Sequence, residues 1–309
     1  MKTIEIMMAT YNGERFLREQ IDSILNQDCE EKGLAKVKLT VRDDGSSDRT
    51  CDIVEEYVEK YPSRVRLVRG KNVGVIKGFF SMLKNASEAD YYGFSDQDDF
   101  WKPHKISRAI EKLQEMEVGN KPALYCCKVA LADENLNEID SEIDRSNFRG
   151  SFENAMIENI AAGCTEVFNQ ELRSIIIHQL PAYTEMHDWW LYLTATAFGE
   201  FYYDEEPFIL YRQHSGNVVG MKHGYLSELK MRVERFNKNR NKISRQLKEF
   251  IRVYKSRFPD NPKLVEAEEL LETKKSFRKR VKFFKSHKIY RQRKMDNRIF
   301  KIILMMGNF

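Results

Sequence analysis

A chain of 309 residues that is 42% hydrophobic and 12% aromatic beside 32% charged describes a folded globular protein, setting aside disorder, collagen and coiled-coil rods. Strictly apolar stretches such as Ile302–Met306 and Ile175–Ile177 fall far short of the ~20 residues a membrane-spanning helix needs. The net charge of +4 conceals a division, because residues 222–309 carry +17 and residues 1–221 carry −13, which predicts two regions with different partners. Five cysteines (Cys29, Cys51, Cys126, Cys127, Cys164) are odd in number and lack Cys-x-x-Cys spacing, so buried reduced thiols are expected rather than disulfides or zinc. The segment after Met1 lacks the basic flank, apolar run and small-residue cleavage site of a secretory signal, and a cytoplasmic protein is expected.

In chain order, Ile4–Ala9 reads as a strand buried on both faces, and Val37–Arg42, Val65–Arg69 and Tyr91–Ser95 read as the next three. Between them Glu14–Gln27 and Asp48–Glu59 carry apolar residues at helical spacing, with Asp48 a candidate N-cap. A third helix is predicted near Gly74–Ala86 and a fourth from Pro103. This alternation predicts an α/β fold with a mostly parallel, doubly wound sheet, whose ligands lie beyond the carboxyl ends of the strands. Further on, Tyr125–Leu131 reads as a strand, 133–151 as a loop beside the site, Gly163–Asn169 as extended, Gln170–Gln179 and Asp188–Phe198 as helices, and Phe201–Tyr211 as extended. From Tyr225 a three-four stripe (Leu226, Leu229, Val233, Phe236, Ile243, Leu247, Phe250, Tyr254), interrupted by Arg240, predicts helix until Pro259 and Pro262.

The loops after the first four predicted strands hold the unusual residues. Asp96-Gln97-Asp98-Asp99 puts three carboxylates in four residues, which repel unless a cation is present; Asp96 and Asp98 suit a divalent ion, while the same run also fits helix capping by Asp99. Asp43-Asp44-Gly45-Ser46-Ser47-Asp48 offers acceptors for a ribose hydroxyl or a base N–H, or is an acidic turn into a capped helix. Thr10-Tyr11-Asn12-Gly13 places an aromatic ring where a base could stack, or is an ordinary loop.

Together with Asn72-x-Gly74, these motifs occur in an order and spacing that resembles family 2 glycosyltransferases of the GT-A fold, over roughly residues 1–220. The resemblance implies a catalytic domain over 1–221 and a basic helical region over 222–309. It implies a nucleotide-sugar donor bound by Thr10, Tyr11, Asn12, Asp43, Asp44, Asn72, Lys77, Asp96, Gln97 and Arg212, with the diphosphate on Mn²⁺ or Mg²⁺ held by Asp98 and His214. A Gly-x-Gly-x-x-Gly or Walker-type loop is absent, in keeping with a cation neutralising the phosphates. By the same resemblance Asp188, in Glu185-Met186-His187-Asp188-Trp189-Trp190, is the catalytic base of an inverting transfer. Its alternative is a helix N-cap with Trp189 and Trp190 in the core. Trp101, Gly163, Cys164, His187 and Trp189 are then expected in the acceptor or sugar pocket.

The run Gly163-Cys164-Thr165, the His-Asp-Trp-Trp segment and Tyr211-Arg212-Gln213-His214 with Asn217 look most like bacterial polysaccharide rhamnosyltransferases. That likeness implies dTDP-β-L-rhamnose as donor and a lipid-linked glycan as acceptor. The alternatives are a UDP-hexose donor (galactose or N-acetylglucosamine) and a non-catalytic sugar-nucleotide-binding adaptor. The Gln-x-x-Arg-Trp motif of processive synthases is absent, so one sugar per encounter is expected. The basic tail suits an anionic membrane surface on the inner face of the cell membrane, with a solvated appendage, or a homodimer through the Leu226–Tyr254 stripe, as alternatives. No recognised nucleic-acid module accompanies it.

Overall fold

The computed structural model describes residues 1–116, 120–140, 147–214, 241–307 and 309. Eight strands form one sheet: β1 (Lys2–Thr10), β2 (Ala35–Asp43), β3 (Val65–Arg69), β4 (Tyr91–Ser95), β5 (Phe100–Trp101), β6 (Ala123–Ala132), β7 (Val167–Asn169) and β8 (Glu200–Arg212). Their order is β3-β2-β1-β4-β7-β6-β8-β5. The first four pair in parallel, as do β6 and β8, whereas β7 runs antiparallel between β4 and β6 and β5 lies antiparallel on β8. The mostly parallel α/β sheet expected from the alternating pattern is present, with a mixed half beyond β4.

Alternation along the strands explains the layers. In β1, Ile4, Ile6 and Met8 face a core shared with α1 (Leu17–Leu25), α2 (Thr50–Lys60) and α4 (Lys105–Met116). Met7 faces the opposite core, shared with α3 (Val75–Asn85), α5 (Phe152–Ala155), α6 (Gln170–His178) and α7 (His187–Phe198).

The C-terminal helices α8 (Lys242–Tyr254), α9 (Pro262–Glu272), α10 (Phe277–Ser286) and α11 (Lys294–Met305) join this second core. Phe250 meets Trp190 edge-on at 5.4 Å, Tyr254 lies over Trp190 at 5.9 Å and meets Phe198 at 4.9 Å. The described end of the predicted apolar stripe, Leu247, Phe250 and Tyr254, is therefore buried against α7 and is not available to a second copy; Leu226, Leu229, Val233 and Phe236, like Asn217, lie outside the described residues. So does the proposed boundary between residues 221 and 222.

Three local expectations change. Gly163–Asn169 is not extended throughout: Gly163–Thr165 is a 3-10 turn and only Val167–Asn169 pairs in the sheet. Asp99 does not cap α4, because β5 intervenes and the helix starts at Lys105. Asp48 stands one residue before the cap position of α2, yet still accepts from the Thr50 N–H at 3.0 Å.

Candidate functional site

The loops beyond the carboxyl ends of β1, β2 and β4 are laced into one surface. The Asn12 N–H donates to Ser46 Oγ (2.8 Å) and Asn12 Oδ1 accepts from the Ser47 N–H (2.9 Å). Asn12 adopts a left-handed backbone (φ 49°), which Asn tolerates well. The Tyr11 N–H donates to Gln97 Oε1 (2.9 Å), and Gln97 Nε2 donates back to the Tyr11 carbonyl (3.2 Å). A Cβ on residue 13 would overlap Gln97 Oε1, so Gly13 makes this clamp possible. The Tyr11 ring remains 51% exposed, as a stacking platform must be.

Asp43 is the keystone of the second loop. Its carboxylate accepts from the Gly45 and Ser46 N–H groups, each at 3.0 Å, and from Ser46 Oγ, while Thr10 Oγ1 donates to it at 3.4 Å. Burial pushes this carboxyl up, but the bonds from Ser46 and Gly45 outweigh it and hold it below the usual range. Gly45, at φ 90°, makes the turn that aims those N–H groups inward. Thr10, Asn12 and Asp43 thus build the loops, a role that precedes any contact with a ligand. Asp44 is clamped by Arg42 (2.8 Å) and accepts weakly from the Val73 N–H (3.4 Å), which ties in the loop after β3. Asn72 caps its own turn at Gly74, and Lys77 lies exposed in the first turn of α3.

The acidic run splits by depth. Asp98 Oδ2 meets His214 Nε2 at 2.8 Å, with side chains 24% and 15% exposed. Asp99 lies beneath, where Asp96, Asp99 and Cys164 bring ligand atoms within 4.8 Å of one another. Burial, then the neighbouring Asp98 and Asp188, push Asp96 up to about 7, and burial with Asp96 and Asp98 raises Asp99 well above the usual range. Cys164, 3% exposed and beside Asp99, has its thiol raised well above normal, first by burial and then by Asp99 and Asp96. It underlies the carboxylates rather than lining an open pocket.

Two expected ligand contacts are absorbed by the protein. Arg212 is buried: its Nε donates to the Asp98 carbonyl at 2.9 Å, Nη1 to the Glu134 carbonyl, and Nη2 pairs with Glu19 at 2.5 Å, over the Phe16 ring at 4.4 Å. Its fork therefore shapes the Asp98 loop and does not point to a phosphate. We expect Arg212→Ala to cost about 3 kcal/mol of stability, measured by denaturant unfolding, because buried acceptors are left unpaired. Trp101 is 1% exposed with Lys105 Nζ 3.3 Å over its ring, so it belongs to the core and not to an acceptor pocket.

Asp188 sits in the first turn of α7. Its Oδ1 accepts from the Trp189 N–H (2.6 Å) and its Oδ2 from the Gly163 N–H (3.1 Å). Burial raises it to about 6, against the lowering effect of those N–H groups and of the Asn159 side chain. Met186, not Asp188, holds the N-cap position of α7. Trp190 is core; Trp189 is half-buried and its Nε1 donates to the Ala155 carbonyl at 2.7 Å. His187 stacks on Phe79 at 4.1 Å and meets Phe94 edge-on at 5.0 Å. Burial lowers it to about 3, leaving a neutral ring, and a Cβ on Gly163 would stand 3.0 Å from its Nε2.

Sequence reasoning passed over Glu166, Phe16, Lys105 and Asn159. Glu166 is fully buried with both carboxyl oxygens unpartnered among the described residues, and burial and then Asp188 raise it well above normal. A single Glu in an unremarkable run carries no signal for this. Phe16 supports His214 at 5.1 Å as well as Arg212, and only its place beside the first loop hinted at it.

Residues 5–176 match the family model described as Glycosyl transferase family 2. The chain belongs to this family. As a family 2 glycosyltransferase it is 34% identical over 236 residues to the dTDP-rhamnosyl transferase RfbG of Shigella flexneri, covering 72% of this chain and 77% of that one. Over a shorter stretch of 107 residues it is 35% identical to the minor teichoic acid biosynthesis protein GgaA of Bacillus subtilis, covering 34% and 24% of the two chains. Among solved structures, S. aureus TarS 1-349 in complex with UDP-GlcNAc aligns at a TM-score of 0.54 and 14% identity, over 91% of this chain and 83% of that one. A second TarS 1-349 structure aligns at 0.53 and 18% identity over 69% of this chain, which spans about 60% of it. These likenesses show that the family 2 glycosyltransferase has the GT-A fold.

Proposed function

We propose that this glycosyltransferase moves one L-rhamnose from dTDP-β-L-rhamnose to a hydroxyl of a lipid-carried glycan, with inversion, using Mn²⁺ or Mg²⁺. The observation that carries the reading is Asp188, a buried carboxylate held in a fixed orientation by two backbone N–H groups beside the acidic edge. A carboxyl at about 6 is ionised at neutral pH and more basic than an exposed aspartate, as a general base requires.

In the proposed reaction Asp188 takes the acceptor's hydroxyl proton as that oxygen bonds to the anomeric carbon. The carbon's bond to the diphosphate oxygen breaks on the opposite side, and the electron pair leaves with the nucleotide. Tyr11 offers its exposed ring to the base. The Asp98 carboxylate and the His214 imidazole fit a divalent ion, since a carboxylate oxygen and a ring nitrogen meet at 2.8 Å and both reach solvent, whereas Asp99 and Cys164 are sealed beneath them. An ion bound there supplies charge neutralisation to a departing diphosphate.

The rhamnosyl donor is supported by the identity with RfbG across most of both chains. Incubation with a panel of dTDP- and UDP-sugars, scoring nucleotide release, tests it. We expect dTDP-rhamnose to be turned over best. Preference for a UDP-hexose would replace the donor assignment, and release from none of them, with nucleotide binding retained, would favour an adaptor.

A further inference from the structure

We propose that the outer face of α10 and α11 is a docking surface for anionic lipid. In α11, Phe300 and Leu304 are buried in the core, while Met295, Ile302 and Met306 are 44%, 60% and 58% exposed. At ~100° per residue these three fall within an arc of about 40° on the side away from the buried pair. They form an apolar line facing outward, flanked by the exposed cations Lys294, Arg298 and Lys301.

The start of α10 extends the line. Phe277 is 60% exposed, and Arg280 links it to the end of α11: its guanidinium carbon lies 6.0 Å over the Phe277 ring, and its Nη1 stands 2.5 Å from where a Cβ on Gly307 would be. Residues 277–306 contain eleven Lys and Arg against one Asp.

A row of exposed large apolar side chains set among cations is the pattern of a helix lying in a lipid interface. A polyanion such as nucleic acid would match the charge but leave the apolar line in water. A second copy of the same surface would meet it with like charge.

The surface is also joined to one side of the active site. The connection between α10 and α11 is pinned where Tyr290 Oη donates to the Arg149 carbonyl (2.8 Å), Asn154 Nδ2 donates to the Tyr290 carbonyl (3.0 Å) and the Gln292 N–H donates to Glu158 Oε2 (2.7 Å). The side chain of the next residue, Asn159, acts on Asp188 and helps to lower its carboxyl. Lipid docking thus belongs to the Asp188 side, where a lipid-carried acceptor would arrive; this orientation rests on the proposed reaction, whereas the docking itself does not.

Sedimentation of the full chain with vesicles tests it. Binding is expected to phosphatidylcholine vesicles containing phosphatidylglycerol and not to phosphatidylcholine alone, and to fall with added salt. Replacing Lys282→Gln, Lys285→Gln, Arg298→Gln and Lys301→Gln together should lower partitioning by about 100-fold or more. Ile302→Ser with Met306→Ser should lower it by about 10-fold. All six side chains are exposed, so both variants should keep the native thermal midpoint and its shift with dTDP. Equal binding to neutral and anionic vesicles, native binding by the variants, or a dimer that the variants split would overturn the proposal. The transfer reaction is judged separately by nucleotide release in the absence of vesicles.

Discussion

Replacing Asp188 by Asn is expected to lower turnover by roughly 10²- to 10⁴-fold while leaving the affinity for dTDP within about two-fold. The amide keeps the shape and one acceptor for the N–H groups of Gly163 and Trp189, but cannot take a proton. The native enzyme should also show an acidic limb in kcat/KM at about 6. Below that pH the carboxyl holds its proton and cannot accept the acceptor's; above it the carboxylate is free. In the Asn variant the limb should vanish from the residual activity. A parallel loss of nucleotide binding, or an unchanged limb, would give Asp188 a purely structural part.

The second large effect is expected at Asp98 and His214. Asp98→Ala and His214→Ala should each weaken Mn²⁺-dependent dTDP binding by about 10-fold or more, and chelation of divalent ions should abolish turnover in the native enzyme. Calorimetric titration of Mn²⁺ with and without dTDP checks this directly. Titrations unchanged in both variants would take these residues out of the ion site. Arg212 makes a useful control, since its guanidinium holds the Asp98 carbonyl from behind: its loss should lower stability first and ion binding only through the loop.

Much of this architecture was legible because it is written locally. Val65–Arg69 and Tyr91–Ser95 coincide with β3 and β4, each a short β-rich run bounded by turn-forming residues. The convergence of the Tyr11, Asp43 and Asp96 loops also followed, since parallel strands put their carboxyl ends on one edge. What escaped depends on partners remote in sequence. Phe100–Trp101 is a strand only because Leu210 and Ile209 pair with it, and this pairing carries Trp101 into the core. Arg212 looked like a phosphate ligand because nothing nearby announces that Glu19, Asp98 and Glu134 surround it. Over its described end, Leu247, Phe250 and Tyr254, the stripe correctly implied a helix with one apolar face, but periodicity does not say what that face meets.

The aromatic contacts between α8 and α7 bear on how such enzymes diverge. The helix that presents Asp188 and His187 in its first turn also rests Trp190 and Phe198 on Phe250 and Tyr254. A chimera that borrowed the C-terminal helices of a relative without its Trp190-bearing segment would unseat both together, so these two stretches are expected to be inherited, and engineered, as a single cassette.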